Sequence, residues 1–243
     1  MKLVKLTDKD GYTKNRTKWN VGDYKEIHDF LKRPELCSNG VFHAYTDINL
    51  ALLLNPIHCN FYNFKIFEVE GDVVVKDYSK VGCYNLKVLS ELDIPDWYLD
   101  NNTRKDVTVC FAALCAESVL NIFEKIYSND DRPRNAIELA KNYLKNIIID
   151  TDHATACVIT DAAAEAAADA ADVVDAAANA AVNAAYAAHA AANAAVNAAN
   201  AVNAAYAANA ADAADAAVNA ADAAGVSINL TNLAQQAINQ ITK

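Results

Sequence analysis

A tract of alanines near the end of the chain constrains the fold more than any other feature of this sequence. Residues 161–224 contain 39 alanines among 64 residues, and no proline or glycine interrupts them. Alanine has the highest helix propensity of the common residues, so the tract predicts long helices over about 161–224. Because a methyl group buries little apolar area, these helices are stable only where another backbone approaches closely.

Polar residues interrupt the tract at a regular spacing. From Asp161 to Asn200 the intervals between them are four, four, three and three residues, and the cycle then repeats. This spacing places one polar stripe along a helix and leaves an alanine face opposite it. The intervals become three from Asn200 to Asp215, which predicts a kink, a turn or a new packing partner between Asn197 and Asp212. The alanine face packs either within the chain or against a second copy. The sequence is therefore compatible with a monomer and with a homo-oligomer.

Helix-breaking residues divide the chain into two parts of different character. All four prolines and five of the six glycines lie within the first 133 residues, and the later breaker is Gly225. Because proline and glycine mark turns, we expect a loop-rich domain followed by a helical one. The prediction is a small α+β domain at 1–100 and, at 101–243, an alanine-rich, tightly packed helical bundle or long helical hairpin. The fold class is therefore α+β.

Short runs of β-branched, aromatic and aliphatic residues predict the strands of the first domain. These runs are 2–6, 41–44, 65–69, 73–75 and 87–89. The segment 70–72 separates two of them and predicts a hairpin turn in which Gly71 has a positive φ. Thr46 is expected to cap a short helix over 47–54 that ends before Pro56.

Three helices of the second domain are predicted outside the alanine tract. One of them has Pro133 in its first turn and an apolar face of Ile137, Ala140, Leu144 and Ile147. The residues over 106–127 are apolar around most of a helical circumference, so this helix is expected to be central and buried. Gly225 is a candidate C-cap for the alanine tract. A last short helix is expected over 227–242, capped by Thr231.

The charge of the chain is concentrated in its last hundred residues. Residues 1–145 carry 20 Lys and Arg against 21 Asp and Glu, whereas 146–243 carry one Lys against ten acidic residues. Because phosphate contacts need cations, nucleic acid and anionic membranes are not expected as partners. The first ten residues lack the apolar core of a signal peptide, and the six cysteines follow no disulfide pattern. A cytoplasmic location is therefore expected.

Two cysteines and two histidines of the first domain are residue types that bind zinc. They are Cys37, His43, His58 and Cys59. Their spacing does not match a paired-ligand pattern, so no metal or cofactor is predicted. Cys37 and His43 are also the types of a nucleophilic pair, but no orienting acid is identified. No catalytic residue is assigned, and a non-enzymatic role is favoured.

The turn at Asn39 and Gly40, with the aromatic residues around it, is expected to shape a core or a ligand pocket. The candidates for ligand binding are Cys37, Asn39, His43, Tyr45, His58, Arg132 and Arg134. Arg132 and Arg134 lie beside two aspartates. They either form local ion pairs that fix a helix start or bind the phosphate of a ligand.

Five acidic residues at the start of the alanine tract are candidates for binding a partner protein. They are Asp161, Glu165, Asp169, Asp172 and Asp175. They present about one carboxylate per helical turn, which suits a basic partner surface and includes mimicry of nucleic acid. The stripe changes from carboxylates to neutral amides after Asp175, so any mimic would be short.

Two groups of motifs resemble known families. The segments 35–47 (ELCSNGVFHAYTD), 55–58 (NPIH) and 80–86 (KVGCYNL) resemble an uncharacterised domain of bacteriophage and prophage accessory proteins, over residues 1 to about 92. The segments 110–117 (CFAALCAE), 131–138 (DRPRNAIE) and 184–191 (AAYAAHAA) are similar to an alanine-rich helical domain of bacterial immunity-type proteins. Together the two resemblances cover most of the chain, and neither brings a reaction with it.

The resemblances imply a small accessory protein that acts in a bacterial cytoplasm in a phage setting. The first function hypothesis is a non-enzymatic protein that binds and inhibits a host protein, such as a defence factor. The alternative is a protein that binds or sequesters a nucleotide or another small ligand, or an enzyme that acts on a nucleotide, through the first domain. A purely structural oligomer through the alanine face is a further hypothesis.

Overall fold

The computed structural model describes residues 1–28, 34–144 and 207–243. The chain divides into two compact units, Met1–Leu99 and Asp100–Lys243. The first unit contains antiparallel sheets with helices, and the described part of the second is helical, so the predicted α+β class is confirmed. The helices predicted over 161–206 lie outside the described residues, as does 197–206, most of the range in which a kink, a turn or a new packing partner is predicted; residues 207–212 lie within a helix.

Residues 1–28 and 34–99 of the first unit form seven strands and two helices. They are β1 (Lys2–Asp8), β2 (Tyr24–Glu26), β3 (Phe42–Ala44), α1 (Ile48–His58), β4 (Phe64–Glu70), β5 (Val73–Lys76), β6 (Val81–Cys83), β7 (Asn85–Leu92) and α2 (Asp96–Leu99). One sheet has the strand order β1-β4-β7-β2 and the other β3-β6-β5. Two main-chain hydrogen bonds between Val4 and Tyr45 link the sheets where β3 ends.

The core of the first unit takes side chains from both sheets. Its buried members are Leu3, Trp19, Ala44, Phe67, Val69, Val81, Cys83, Leu86 and Val88. Alternation along β1 places Leu3 and Lys5 on the same face of the strand, and Lys5 lies opposite Phe67 of β4. A lysine therefore occupies a core position of this unit, where it is 4% exposed.

The connections between strands differ from the prediction at two points. The hairpin predicted at 70–72 is wrong, because β4 pairs with β1 and β7, whereas β5 pairs with β6. Gly71 does not have a positive φ. Glycine is needed there because a Cβ atom would lie 2.4 Å from the main-chain oxygen of Asn85. The strands β2 and β6 were not predicted, since one is polar and the other contains Gly82.

Helix α1 begins and ends later than predicted. Its N-cap is Asp47, whose carboxylate accepts the N–H of Leu50 at 2.9 Å, so Thr46 is not the cap. A carboxylate satisfies this N–H and also interacts favourably with the positive end of the helix dipole. Pro56 lies inside the helix, which continues to His58 because the N–H of Cys59 still reaches the carbonyl of Asn55.

A long apolar helix is the centre of the second unit. In the described part of this unit the helices are α3 (Asn101–Glu124), α4 (Arg132–Leu144), α5 (Ala207–Ala223) and α6 (Leu230–Ile241), and α3 contacts the other three. The prediction of a central, buried helix is therefore confirmed for α3. By length and composition α3 would also suffice to cross a membrane, but 72% of its apolar window is buried inside the protein, as expected of a core helix.

The described part of the alanine tract packs against α3 of the same chain. Seven alanines of α5 are fully buried: Ala210, Ala211, Ala213, Ala214, Ala217, Ala220 and Ala221. The facing helix α3 also buries small residues, among them Ala112 and Ala116. The polar positions Asp212, Asp215, Asn219 and Asp222 are exposed on the other side of α5. The polar stripe and alanine face were predicted for 161–200, which lies outside the described residues, and α5 shows the same kind of division over 210–222.

A Schellman motif ends α5 and leads directly to α6. Gly225 has a φ of 67°, its N–H donates to the carbonyl of Asp222, and the N–H of Val226 donates to the carbonyl of Ala221. The predicted C-cap is therefore confirmed. The predicted cap Thr231 of the last helix is wrong, because Asn229 caps α6 by accepting the N–H of Asn232.

Candidate functional site

A cavity of about 500 Å³ lies within the first unit. Residues of β1, β3, the end of α1 and the loops that precede β2 and β3 line it. Its polar and aromatic lining includes Lys5, Lys14, Trp19, Cys37, Asn39, Phe42, His43, Tyr45, His58, Cys59 and Lys80. The structure thus brings together all five ligand candidates of the first domain, at Cys37, Asn39, His43, Tyr45 and His58. Whether they bind a ligand stays a prediction.

Two hydrogen bonds fix His43 at the cavity wall, one to its ring and one to its main-chain carbonyl. Its Nε2 accepts the N–H of Cys37 at 2.8 Å, and its carbonyl accepts a hydrogen bond from Nζ of Lys5 at 2.7 Å. Because an amide only donates, Nε2 carries no proton in this arrangement, and the neutral ring is protonated at Nδ1. Burial, reinforced by Lys5 and Lys80, lowers the pKa of His43 to about 4.

His58 lies at the end of α1 and pairs with Tyr45. The Tyr45 hydroxyl and Nδ1 of His58 are 2.9 Å apart, and the two rings stack with centroids 5.8 Å apart. Burial, reinforced mainly by the nearby Lys80, lowers the pKa of His58 to about 4. Both cavity histidines are therefore neutral at pH 7.

The thiols of the cavity do not form the sites that their residue types suggest. The hydrogen bond between Cys37 and His43 uses the main-chain N–H of Cys37, and no bond between its thiol and the imidazole occurs in the part of the chain that the structure describes. Burial raises the pKa of the Cys59 thiol, which opposes formation of a thiolate. Over residues 1–28, 34–144 and 207–243, no group of three or more His, Cys, Asp or Glu side chains is placed to hold a metal ion.

Lys5 and Trp19 are the functional candidates that the sequence analysis missed. Nζ of Lys5 lies 4.9 Å from the centroid of the Trp19 ring, and Trp19 is 1% exposed. Burial lowers the pKa of Lys5 to about 8. The signal was present in the sequence, because Lys5 shares the inward face of the apolar strand β1 with Leu3.

The two arginine candidates lie in the second unit, and both form ion pairs. The guanidinium of Arg132 donates to both carboxylate oxygens of Asp130 and lowers the pKa of that carboxyl group. Arg134 at the start of α4 pairs with Glu124 at the end of α3. The pair with Asp130 matches the local ion pairing considered above for Arg132, whereas the partner of Arg134 is Glu124 and not one of the two neighbouring aspartates. A ligand role for Arg132 or Arg134 stays a prediction. The acidic candidates Asp161, Glu165, Asp169, Asp172 and Asp175 lie outside the described residues.

The second unit is a helical domain centred on α3, with an alanine-faced helix packed against it. The class of the protein follows from this domain. A family model described as Imm-5 like putative immunity protein matches residues 99–242. The match spans more than half of the chain, and the chain belongs to this family of immunity-like proteins. No curated protein and no solved structure matches the chain.

Proposed function

We propose that this protein is a non-enzymatic inhibitor that protects a cell by binding a protein target through its second unit. The family match over residues 99–242 carries this proposal, because the family is described as immunity proteins. An immunity role requires a surface that recognises the harmful protein rather than a reaction centre. The second unit provides helices such as α5, whose polar side chains lie on the exposed face, away from the core in which the helices pack.

The charge of the second unit indicates the chemistry of the target surface. On α5 the exposed polar residues include Asp212, Asp215 and Asp222, and residues 146–243 contain one Lys against ten acidic residues. A basic target surface would be attracted to this unit, and the attraction would accelerate binding. The five acidic candidates over 161–175 would add to this attraction.

A finer form of the proposal is that the protein is phage-encoded and inhibits a host defence factor in the bacterial cytoplasm. The resemblance of the first domain to phage accessory proteins motivates it. Expression of the full chain in a bacterium that carries a defence system is then expected to restore plaque formation by a restricted phage. If plaque counts stay unchanged across the defence systems tested, the phage form is wrong and the general inhibitor role is unaffected.

Co-expression tests the general proposal. The products of genes adjacent to the one encoding this chain are expressed one at a time in a bacterium, with and without the full chain. We expect the chain to rescue growth from one toxic product and to form a stoichiometric complex with it in size-exclusion chromatography. The matched variants replace Asp161, Asp169, Asp172 and Asp175 with Asn, or Asp212, Asp215 and Asp222 with Asn.

The outcomes of this experiment separate the alternatives. Weaker rescue by the first variant alone assigns the contact to the candidates over 161–175, and weaker rescue by the second alone assigns it to α5. Equal rescue by both variants and the wild type contradicts an acidic contact surface. If no adjacent product is toxic, or if toxicity is relieved without a complex, the inhibitor role is wrong.

A further inference from the structure

The cavity of the first unit is lined by a buried charge, on Lys5, that no carboxylate of the described residues neutralises. Lys5 donates to the carbonyl of His43 and lies over the ring of Trp19, and within the described residues no carboxylate is in ion-pair distance of it. An ammonium has three N–H donors, and the bond to His43 uses one. A buried, unpaired ammonium destabilises a fold, so its presence calls for an explanation other than stability.

A second buried donor lies in the same wall. The indole Nε1 of Trp19 is buried and has no hydrogen-bond partner among the residues that the structure describes. Buried donors in folded proteins are almost always paired, with protein groups, water or a ligand. Both residues line one cavity, and an acceptor bound there would satisfy the remaining N–H donors of the Lys5 ammonium.

The charges around the cavity have one sign. Lys5, Lys14 and Lys80 line it, and none of the described lining residues is an aspartate or a glutamate. Asp77 is close enough to pair with Lys80 at 3.9 Å, which offsets one of the three positive charges. The two histidines are neutral at pH 7, so they add no charge of either sign. The potential inside the cavity therefore favours an anion.

The size and the walls of the cavity limit the ligand to a small molecule. Sites for small organic ligands typically have about 300–1,000 Å³, and this cavity has about 500 Å³. The rings of Trp19, Phe42 and Tyr45 line it together with the lysines. Aromatic walls beside cationic groups fit a molecule with an anionic group and a planar or apolar body.

We propose that this cavity binds a small organic anion, whose phosphate or carboxylate group contacts the ammonium of Lys5 and whose planar or apolar body lies against the aromatic wall. Lys80 and Lys14 attract the anion towards the site. This binding activity is separate from the proposed inhibitor role and rests on the first unit alone. The sequence predicted a nucleotide or another small ligand as the alternative, and this proposal narrows the class of ligand to small organic anions.

Binding is tested on the full chain by the fluorescence of its tryptophans. Both tryptophans, Trp19 and Trp97, lie in the first unit, and Trp19 lines the cavity. The probes are adenosine 5′-monophosphate, benzoate and inorganic phosphate, with adenosine and benzyl alcohol as neutral counterparts. We expect at least one of the two ring-bearing anions to change the fluorescence saturably and to raise the unfolding temperature, and neither neutral compound to do so.

Two variants identify the residue that holds the anion. Lys5→Met is expected to weaken binding about tenfold or more, the effect of losing one charge-assisted hydrogen bond. Lys87→Met is the matched control, because Lys87 of β7 lies on the surface and its substitution removes the same net charge. Lys80→Met is expected to weaken binding by a smaller factor of about three, since it acts at longer range.

Each result of the titrations decides the proposal. Binding by adenosine 5′-monophosphate alone identifies a phosphate site, and binding by benzoate alone identifies a carboxylate site. Equal affinity of wild type and Lys5→Met overturns the proposal, as does equal binding of neutral and anionic probes. No saturable response to either ring-bearing anion also overturns it. Retention of wild-type inhibition by Lys5→Met would show that the two proposed activities are separate.

Discussion

The cores of the two units are packed in different ways. In the first unit large side chains such as Trp19, Phe67 and Leu86 fill the space between two sheets. In the second unit α5 contributes alanines, and the backbones of α5 and α3 must come close to bury them. The comparison teaches that a core of large side chains leaves room for a cavity and a buried lysine. An alanine interface does not tolerate additional volume.

The two units also treat polar groups differently. The first unit buries Lys5 and the indole N–H of Trp19 beside a cavity, whereas α5 keeps its aspartates on the exposed face. Buried polar groups without full pairing reduce stability and are typical of sites where a ligand completes the pairing. Substitutions should therefore change the stability of the two units in opposite directions.

The largest effect is expected from enlarging an alanine at the centre of the α5 interface. Ala217→Leu should lower the free energy of unfolding of the second unit by about 3 kcal/mol, because Leu has nearly the same helix propensity but does not fit between close backbones. Chemical denaturation followed by circular dichroism at the helix minimum measures it. Asn219→Leu on the exposed face of α5 is the control, and an equal loss there would contradict close packing at Ala217.

The opposite sign is expected at Lys5. The pKa of this lysine is about 8 in the folded protein and 10.5 in the unfolded chain, so at pH 7 its buried charge destabilises the first unit. Lys5→Met should therefore raise the free energy of unfolding by about 2 kcal/mol. Tryptophan fluorescence during denaturation reports the first unit, since both tryptophans lie in it.

The pH dependence provides a check on the cause of the Lys5 effect. Between pH 8 and 10.5 the unfolded chain binds more protons at Lys5 than the folded protein does, so the contribution of Lys5 to stability should rise with pH over this range. The buried thiols of Cys59 and Cys83, whose pKa values are raised, act in the opposite direction in both proteins. The stability advantage of Lys5→Met over the wild type should therefore shrink as the pH rises. If Lys5→Met is less stable than the wild type at pH 7, the ammonium has a structural role that its visible contacts do not explain.

A smaller effect is expected from the histidines under acid conditions. The pKa of His58 is about 4 in the folded protein and 6.5 in the unfolded chain, so stability is present above pH 6.5 and is lost as the pH falls towards 4. The loss should be about 1 kcal/mol, since His58 is only partly buried. His58→Phe keeps the ring against Tyr45 and should reduce the loss, as measured by tryptophan fluorescence. The exposed His28→Phe should leave it unchanged.

The smallest effect is expected at the ion pair between the start of α4 and the end of α3. The side chain of Arg134 is 52% exposed, and exposed ion pairs contribute about 0–1 kcal/mol. Arg134→Gln should therefore lower the stability of the second unit by about 0.5 kcal/mol, measured by circular dichroism. Glu124→Gln should have a similarly small effect. A loss several times larger for Arg134→Gln alone would indicate a further contact of the guanidinium.

Local features of the fold could be predicted from the sequence because they depend on neighbouring residues. Gly225 ends α5 since glycine adopts the left-handed conformation that the Schellman motif requires. Five of the seven strands were predicted from their apolar runs. The hairpin at 70–72 was wrong because Gly71 is required by the close approach of Asn85, a residue distant in the sequence. Strand pairing depends on contacts of this kind, which short-range patterns do not contain.

The same limit applies to the candidate site. Cys37, Asn39 and His43 were singled out because a turn with reactive residue types is visible within a few positions. Lys5 was missed because its importance comes from burial beside Trp19 and from the carbonyl of His43, 38 positions away in the sequence. A lysine inside an apolar strand is the feature that would have indicated it. The ion pair of Arg132 could be predicted from the sequence because its partner is two residues away. The ion pair of Arg134 could not, because its partner Glu124 lies in another helix.

The contacts of α3 with α6 have a consequence for the order in which the chain folds. The thiol of Cys110 reaches the side chain of Gln240 at 3.4 Å, across 130 positions of sequence. Contacts at this separation form slowly, because a long loop must close first. During synthesis the first unit has all its residues once Leu99 has left the ribosome, whereas α3 has to wait until α6 is synthesised. The apolar surface of α3 that α6 covers therefore needs protection from aggregation during that interval.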